Sequence, residues 1–483
     1  MDILAKHIKY SDMYQPNQVY WGLGIENEVY LEFEEKMKVS KQKFIENHKR
    51  ERYSVDYFSS YKSDVLNRAF LYIVSQMEST DSELSLPILM NSHSLISTDK
   101  SNNHCTLYAK GTPSNPKFDG KTLSNILHRN EYLKNSYDVN YIYEGDVIEF
   151  ITLNFFNTTL EDTINELEYN KMQFIQSVQS VFKKNDIYTK YGEINFIKEN
   201  HPFSILLTNI NNIAIFNNGT IHLNITLPSR LDADNKIADM VQFTKEHSLY
   251  IKLIQFMEPL IISIYGTPDP FSYIVTNNNK DTFFENVMFS SCSQRCAVSR
   301  YIGIGTFDTD TMERGKLLTD EINRFKIATE SYGWYNKYHN TSAYNKLSAI
   351  GYDINFNKHY NHGIELRFFD HISDIERIKE VFEFIIYLGD FALSSLDTPC
   401  GNPITNPTWN DLVVDCMKYG LELKLNKNYI AMYNNIFNYQ FISLDIKSLY
   451  FEIFDLLKLK SYKNNMFSKY VLANKNKIMY SNV

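Results

Sequence analysis

"GIENEVYLEFEE", residues 24–35, decides how the chain is read. Taken as a strand, its successive side chains point to opposite faces. Ile25, Val29, Leu31 and Phe33 then line one face, interrupted by Asn27. Glu26, Glu28, Tyr30, Glu32 and Glu34 line the other, expected to be a wet face, with the first two residues about 7 Å apart. Alternation alone describes any half-buried strand with a charged side. Carboxylates this close repel unless a cation lies between them, and hard divalent ions such as Mg²⁺ are bound by such oxygens. The rest of the chain decides between the two.

Three further segments carry a polar stripe opposite an apolar one. "YIYEGDVIEFITLNF", 141–155, reads as a strand bearing Glu149, with Glu144 and Asp146 nearby. "GTIHLNITLP", 219–228, sets His222 and Asn224 against Ile221, Leu223 and Ile225, and is expected to close at Pro228. "HGIELRFFD", 362–370, sets Glu365 and Arg367 against Ile364, Leu366 and Phe368. Pooled on one sheet, these faces bring together carboxylates, one imidazole, one amide and one guanidinium. Such a set suits two or three Mg²⁺ ions with positions left for phosphate oxygens. The guanidinium supplies a planar fork for a phosphate. No GxxxxGK[ST] loop is present, so strands and metals would hold the nucleotide.

Between the strands lie helical patterns. Thr159 is placed to cap a helix running through about Lys184. A long helix is expected over about 236–264, stopped by Gly266, Pro268 and Pro270. Residues 37–80 read as charged, then amphipathic, helix, and 86–115 as short strands and loops. Separated strands with helices behind them predict an α+β fold built on a large antiparallel sheet. A Pro/Asn/Gly-rich break at 399–407 divides residues 1–398 from a mostly helical extension over 399–483.

Composition narrows the partners. The net charge of −8 gives no electrostatic footprint for nucleic acid or an anionic membrane surface. No run of eighteen apolar residues appears, so no transmembrane helix is expected, and the N-terminus lacks the apolar core of a signal peptide. Five scattered cysteines fit reduced thiols, hence an intracellular, cytoplasmic location. Cys292 and Cys296 lack the second ligand pair of a zinc site.

"GIENE", "EFIT", "IHLNITLP", "YGTPDPFS" and "GIELRFFD" occur in the order seen in the glutamate–cysteine ligase branch of the glutamine synthetase-like carboxylate–amine ligases. The resemblance covers about residues 20–375. It implies a sheet whose polar face binds ATP and metal. Glu26, Glu28, Glu149, His222 and Glu365 would be metal ligands. Glu26, Glu28, Asn224 and Arg367 would contact ATP, and Glu365 with Arg367 would serve the transferring phosphate. Arg300, favoured over Arg295 by its spacing to Gly305, and Asn224 would bind the substrate. In such enzymes a carboxylate takes the γ-phosphoryl group of ATP and an amine then displaces phosphate, forming an amide. Glutamate is the expected carboxylate, with a small amine or a peptide as acceptor. Where the family carries further acids before its second acidic strand, this chain offers Glu144 or Asp146. The 37–80 insertion and the tail beyond 400 have no counterpart.

Other readings compete. "GIGTFDTDTM", 303–312, is similar to the aspartyl loop of haloacid-dehalogenase-type phosphatases, but has Met312 where threonine or valine is required. A ligase fold kept only for binding or structure would suit the acidic, Tyr-rich composition. A guanidino-kinase-like phosphotransferase would need an arginine cluster in place of the carboxylate set.

Overall fold

The computed structural model describes residues 19–33, 123–153, 157–197, 219–267, 354–356 and 361–472, with 145–146, 186–187, 190–191, 235, 397–399 and 465–466 excepted, together with Met90, Cys292 and Ser293. The 37–80 segment, Asp146, Arg295, Arg300 and the 303–312 loop lie outside the described residues.

Among the described residues eight strands form: β1 Val19–Val29, β2 Leu31–Phe33, β3 Tyr141–Glu144, β4 Val147–Ile151, β5 Ile194–Phe196, β6 Thr220–Arg230, β7 Ile354–Phe356 and β8 Ile364–Asp370. Six of them make one open sheet in the order β3-β4-β1-β6-β8-β7, every neighbouring pair antiparallel. β2 leaves that sheet to pair with β5, opposing Glu32 to Asn195, so the acidic stripe does not run on past Glu28. Tyr30, at the break, is wholly buried rather than solvent-facing.

Two expectations about the strands are corrected. Residues 141–155 are not one strand. Glu144 pairs with Val147, so only Gly145 and Asp146 separate β3 from β4, residue types suited to a two-residue hairpin link. Pro228 does not end β6. Gly22 pairs with Thr226 and Tyr20 with Ser229, which leaves one extra residue on β6. The bulge falls on Leu227 and Pro228, where a residue without an N–H is tolerated.

The N–H of Leu227 is received by His247 Nε2 at 3.1 Å. His247 Nδ1 lies 2.8 Å from the Phe243 carbonyl and donates to it. With one nitrogen accepting and the other donating, this ring is neutral. Burial lowers its pKa to about 4, partly offset by the bond to Phe243. The folded state therefore binds this proton less readily than the unfolded chain does. The stabilisation is complete above pH 6.5 and is lost as pH falls toward 4, by roughly 3 kcal/mol. Urea unfolding at pH 7 and pH 4.5 is expected to show most of that loss, and His247→Gln to flatten the slope.

Helices pack against the sheet. They are α1 Leu123–Leu127, α2 Glu131–Ser136, α3 Leu160–Lys184, α4 Met240–Tyr265, α5 Ile375–Ser394, α6 Pro407–Tyr419, α7 Lys427–Phe437, α8 Ile446–Asn464 and α9 Phe467–Val471. Thr159 caps α3 as its sequence suggests, accepting from Asp162 N. α3 lies against β1, β4 and β5, and α4 against β6 and β8. The helices beyond residue 400 pack on α4 and α5, and their apolar residues join the same buried cluster. Mixed helices around an open antiparallel sheet make this an α+β fold. By length and composition alone α4 is apolar enough to cross a membrane, but 78% of its most apolar window is buried inside the fold, as in a core helix.

α4 continues through Pro259. A proline there removes the N–H that would bond the carbonyl of Gln255. Trp409 of α6 supplies the missing donor, its Nε1 lying 2.9 Å from Gln255 O. Trp409→Phe is expected to cost about 2–3 kcal/mol in urea unfolding, because it orphans a buried carbonyl and leaves a void. Adding Pro259→Ala, which restores an N–H, should recover about 1 kcal/mol of that in a double-mutant cycle.

Candidate metal centre

β1, β4, β6 and β8 bring their polar side chains together in three cross-strand rows. In the first, Glu28 stands directly opposite Glu149. On its other side, Thr220 Oγ1 donates to Glu28 Oε2 at 2.6 Å. In the second, Glu26 stands opposite His222. In the third, Asn224 is flanked by Gly24 and Glu365, and Glu365 by Asn355. A bulge in β8 sets Arg367 and Phe368 together against His222, since Leu223 pairs with Leu366 and Ile221 with Phe369. Such a bulge re-aims a side chain beside a site.

The centre of this face is closely gathered. His222 Nδ1 lies 2.6 Å from Glu26 Oε2 and 3.5 Å from Glu365 Oε1. One ligand atom from each of the three falls within 4.8 Å of the others. Asn355 Nδ2 donates to Glu365 Oε2 at 2.6 Å, and Arg367 Nε is 3.9 Å from Glu365 Oε1. The expected wet face is not wet: Glu26, Glu28, Glu149, His222 and Glu365 are between 1% and 7% exposed. Alternation reveals which side chains share a face, not whether that face meets solvent.

Burial makes the charge problem acute. Cβ atoms directly opposite across two strands are about 5 Å apart, and like charges at that separation repel by roughly 3 kcal/mol at an effective dielectric of about 20. The opposed pair Glu28 and Glu149 therefore calls for a cation or a proton. Two oxygens and one imidazole nitrogen, contributed by Glu26, Glu365 and His222, make a donor set suited to Mg²⁺ or Mn²⁺. Asn224 adds an independent sign of a ligand. It is 1% exposed, and neither its amide oxygen nor its amide nitrogen has a hydrogen-bond partner among the described residues. Buried amides are rarely left so, and the glycine opposite places no side chain beside it.

No protein-family model matches the chain. Over 477 residues it is 35% identical to Uncharacterized protein R704 of Acanthamoeba polyphaga mimivirus, an alignment covering 98% of this chain and 80% of that protein. The chain belongs to the family of that mimivirus protein. Membership assigns the family no chemistry, which has to be read from the face itself.

Seven of the eight site residues singled out in the sequence lie in these rows or at the β8 bulge: Glu26, Glu28, Glu149, His222, Asn224, Glu365 and Arg367. The eighth, Arg300, lies outside the described residues. Sequence reasoning passed over Thr220 and Asn355. Thr220 was within reach, because residues 220, 222 and 224 alternate onto one face. Asn355 sits in a three-residue strand, too short for any periodicity to show.

A second junction fixes the end of α4 to the end of β8. Asp370 Oδ2 accepts from Thr267 N at 3.0 Å, directly after the helix. Gly266 is required at this turn, since a Cβ there would stand 2.3 Å from Ile262 O and 2.5 Å from Cys292 O. The "YGTPDPFS" and "RFFD" motifs are thus tied together through one carboxylate.

Proposed function

We propose that the protein is an ATP- and divalent-metal-dependent carboxylate–amine ligase, with a glutamine synthetase-like sheet and glutamate as the expected carboxylate donor. The observation that carries this reading is the buried convergence of Glu26 Oε2, His222 Nδ1 and Glu365 Oε1, beside the opposed pair Glu28 and Glu149. Glu26, His222 and Glu365 would hold one cation, and Glu28 with Glu149 another. The metals, when bound, neutralise phosphate charge and polarise the transferring phosphoryl group.

The chain's own contribution is position and charge. Asn355 fixes one oxygen of Glu365 and leaves the other turned toward His222 and Arg367. Arg367, held at the bulge with its side chain 23% exposed, is placed to take phosphate oxygens. Asn224 offers a donor and an acceptor to a bound molecule over the Gly24 position. Near-complete burial lowers the dielectric around these groups, which strengthens each interaction with developing charge. Formation of an amide through an acyl phosphate is the reaction this equipment fits, an amine displacing phosphate from the activated carboxyl.

The test is phosphate release from ATP by the purified full chain with Mg²⁺, given glutamate with and without an amino-acid pool containing cysteine. Release that requires both carboxylate and amine, and disappears in Glu28→Gln, supports the ligase. A folded, Mg²⁺-loaded protein that releases no phosphate from any mixture refutes it.

A further inference from the structure

The Thr220 hydroxyl touches two members of the site. Its Oγ1 is 2.6 Å from Glu28 Oε2 and 3.2 Å from His222 Nε2. A hydroxyl has one hydrogen, and an ionised carboxylate only accepts. The Thr220 hydrogen is therefore committed to Glu28, and Oγ1 can meet His222 only as an acceptor. The proton of His222 then sits on Nε2. In the neutral ring that leaves the Nδ1 lone pair for a cation shared with Glu26 Oε2 and Glu365 Oε1, a cation taking the place of the proton that the 2.6 Å contact to Glu26 otherwise carries.

We infer that Thr220 is a positioning residue: with Glu28 behind it, it holds His222 in the Nε2–H tautomer, so that Nδ1 joins Glu26 and Glu365 in binding a divalent cation. The inference rests on the metal reading above. Without the hydroxyl, the ring gains by moving its proton to Nδ1 and donating it to Glu26 across 2.6 Å. That tautomer is well satisfied and cannot ligate metal through Nδ1. Metal-bound histidines commonly have their other nitrogen fixed by a carboxylate or carbonyl, and losing that partner lowers metal affinity about 10- to 100-fold. Here a hydroxyl is interposed, and the chain Glu28–Thr220–His222 performs the same service. It also gives Glu28 a second task, because only one of its oxygens is engaged by Thr220.

The experiment measures Mn²⁺ binding to the full chain by electron paramagnetic resonance for wild type, Thr220→Val and Thr220→Ser. Nitrogen-15 spectra of histidine-labelled, Mg²⁺-loaded protein accompany it, with His222 assigned by its loss in His222→Asn. Thr220→Val should bind Mn²⁺ about 10- to 100-fold more weakly. Thr220→Ser, which keeps the hydroxyl, should stay within about threefold of wild type. The wild-type spectrum should show hydrogen on Nε2 and none on Nδ1. Equal binding by wild type and a folded Thr220→Val, failure of Thr220→Ser to rescue, or hydrogen on Nδ1 in the loaded wild type overturns the role of Thr220 and leaves the metal reading standing. Absence of Mn²⁺ and Mg²⁺ binding by wild type overturns both.

Discussion

Glu365→Gln is expected to abolish Mg²⁺-dependent turnover, by roughly 10³-fold or more, while the protein remains folded. Glutamine keeps the shape of the side chain and can still accept from Asn355 Nδ2 through its amide oxygen. What it loses is the negative charge that the proposed metal site needs. One oxygen of Glu365 faces His222 Nδ1 at 3.5 Å and Arg367 Nε at 3.9 Å. An amide nitrogen turned toward those groups repels a cation, and a neutral oxygen attracts it far less than a carboxylate does. Stabilisation of developing charge by a bound metal contributes several kcal/mol, and every 1.4 kcal/mol or so is tenfold in rate. Comparing phosphate release at saturating Mg²⁺ with the thermal midpoint separates loss of chemistry from loss of fold. Wild-type rates in the variant would remove Glu365 from the site, and a collapse of the midpoint would return it to a structural role.

The sequence showed the face but not its setting. Alternation assigned Glu26, Glu28, Glu149, His222, Asn224 and Glu365 to polar stripes, because a period of two needs only a few residues to show itself. It could not show that β1 lies between β4 and β6, since those partners are more than a hundred residues away along the chain. Nor could it show that the stripe is buried, and burial is what turns adjacent carboxylates from a solvated surface into a demand for counter-charge. The β8 bulge was hidden for a related reason. "IELRF" alternates, and although the Phe368–Phe369 doublet breaks that pattern, it is the pairing with β6 that places the extra residue beside Arg367. β5 and β7, each spelled "INF", are too short to read at all. Pro228 misled because a proline within a strand normally ends it, and the bulge that accommodates it depends on β1 and on His247, twenty residues on.

Gly363→Ala is expected to be among the most damaging single methyl groups in the described fold. Gly363 precedes β8, and its N–H donates to Thr226 Oγ1 at 2.9 Å. A Cβ at this position would stand 2.3 Å from Ile225 O, 2.6 Å from His247 Nε2 and 2.8 Å from Thr226 Cα. Two of those atoms are backbone of β6, which is paired to β1 on one side and β8 on the other and has no direction in which to yield. The third is the ring nitrogen that receives the Leu227 N–H, so displacing it would orphan a buried donor as well. Overpacking of a core commonly costs 1–3 kcal/mol, and a backbone clash with a lost hydrogen bond should bring the total above about 4 kcal/mol. The fold and the site should fail together. Glu365 lies two residues along the same strand, and moving β8 off β6 separates it from His222 and from Asn224, its partner in register. Urea unfolding and Mn²⁺ binding should therefore both be lost in Gly363→Ala. Gly401→Ala, whose Cβ would meet nothing within 4 Å, should shift stability by no more than about 0.5 kcal/mol. A Gly363→Ala protein that unfolds at the wild-type midpoint would show that β6 and β8 can move apart without penalty, and with that the rigid spacing of the proposed metal centre would lose its support.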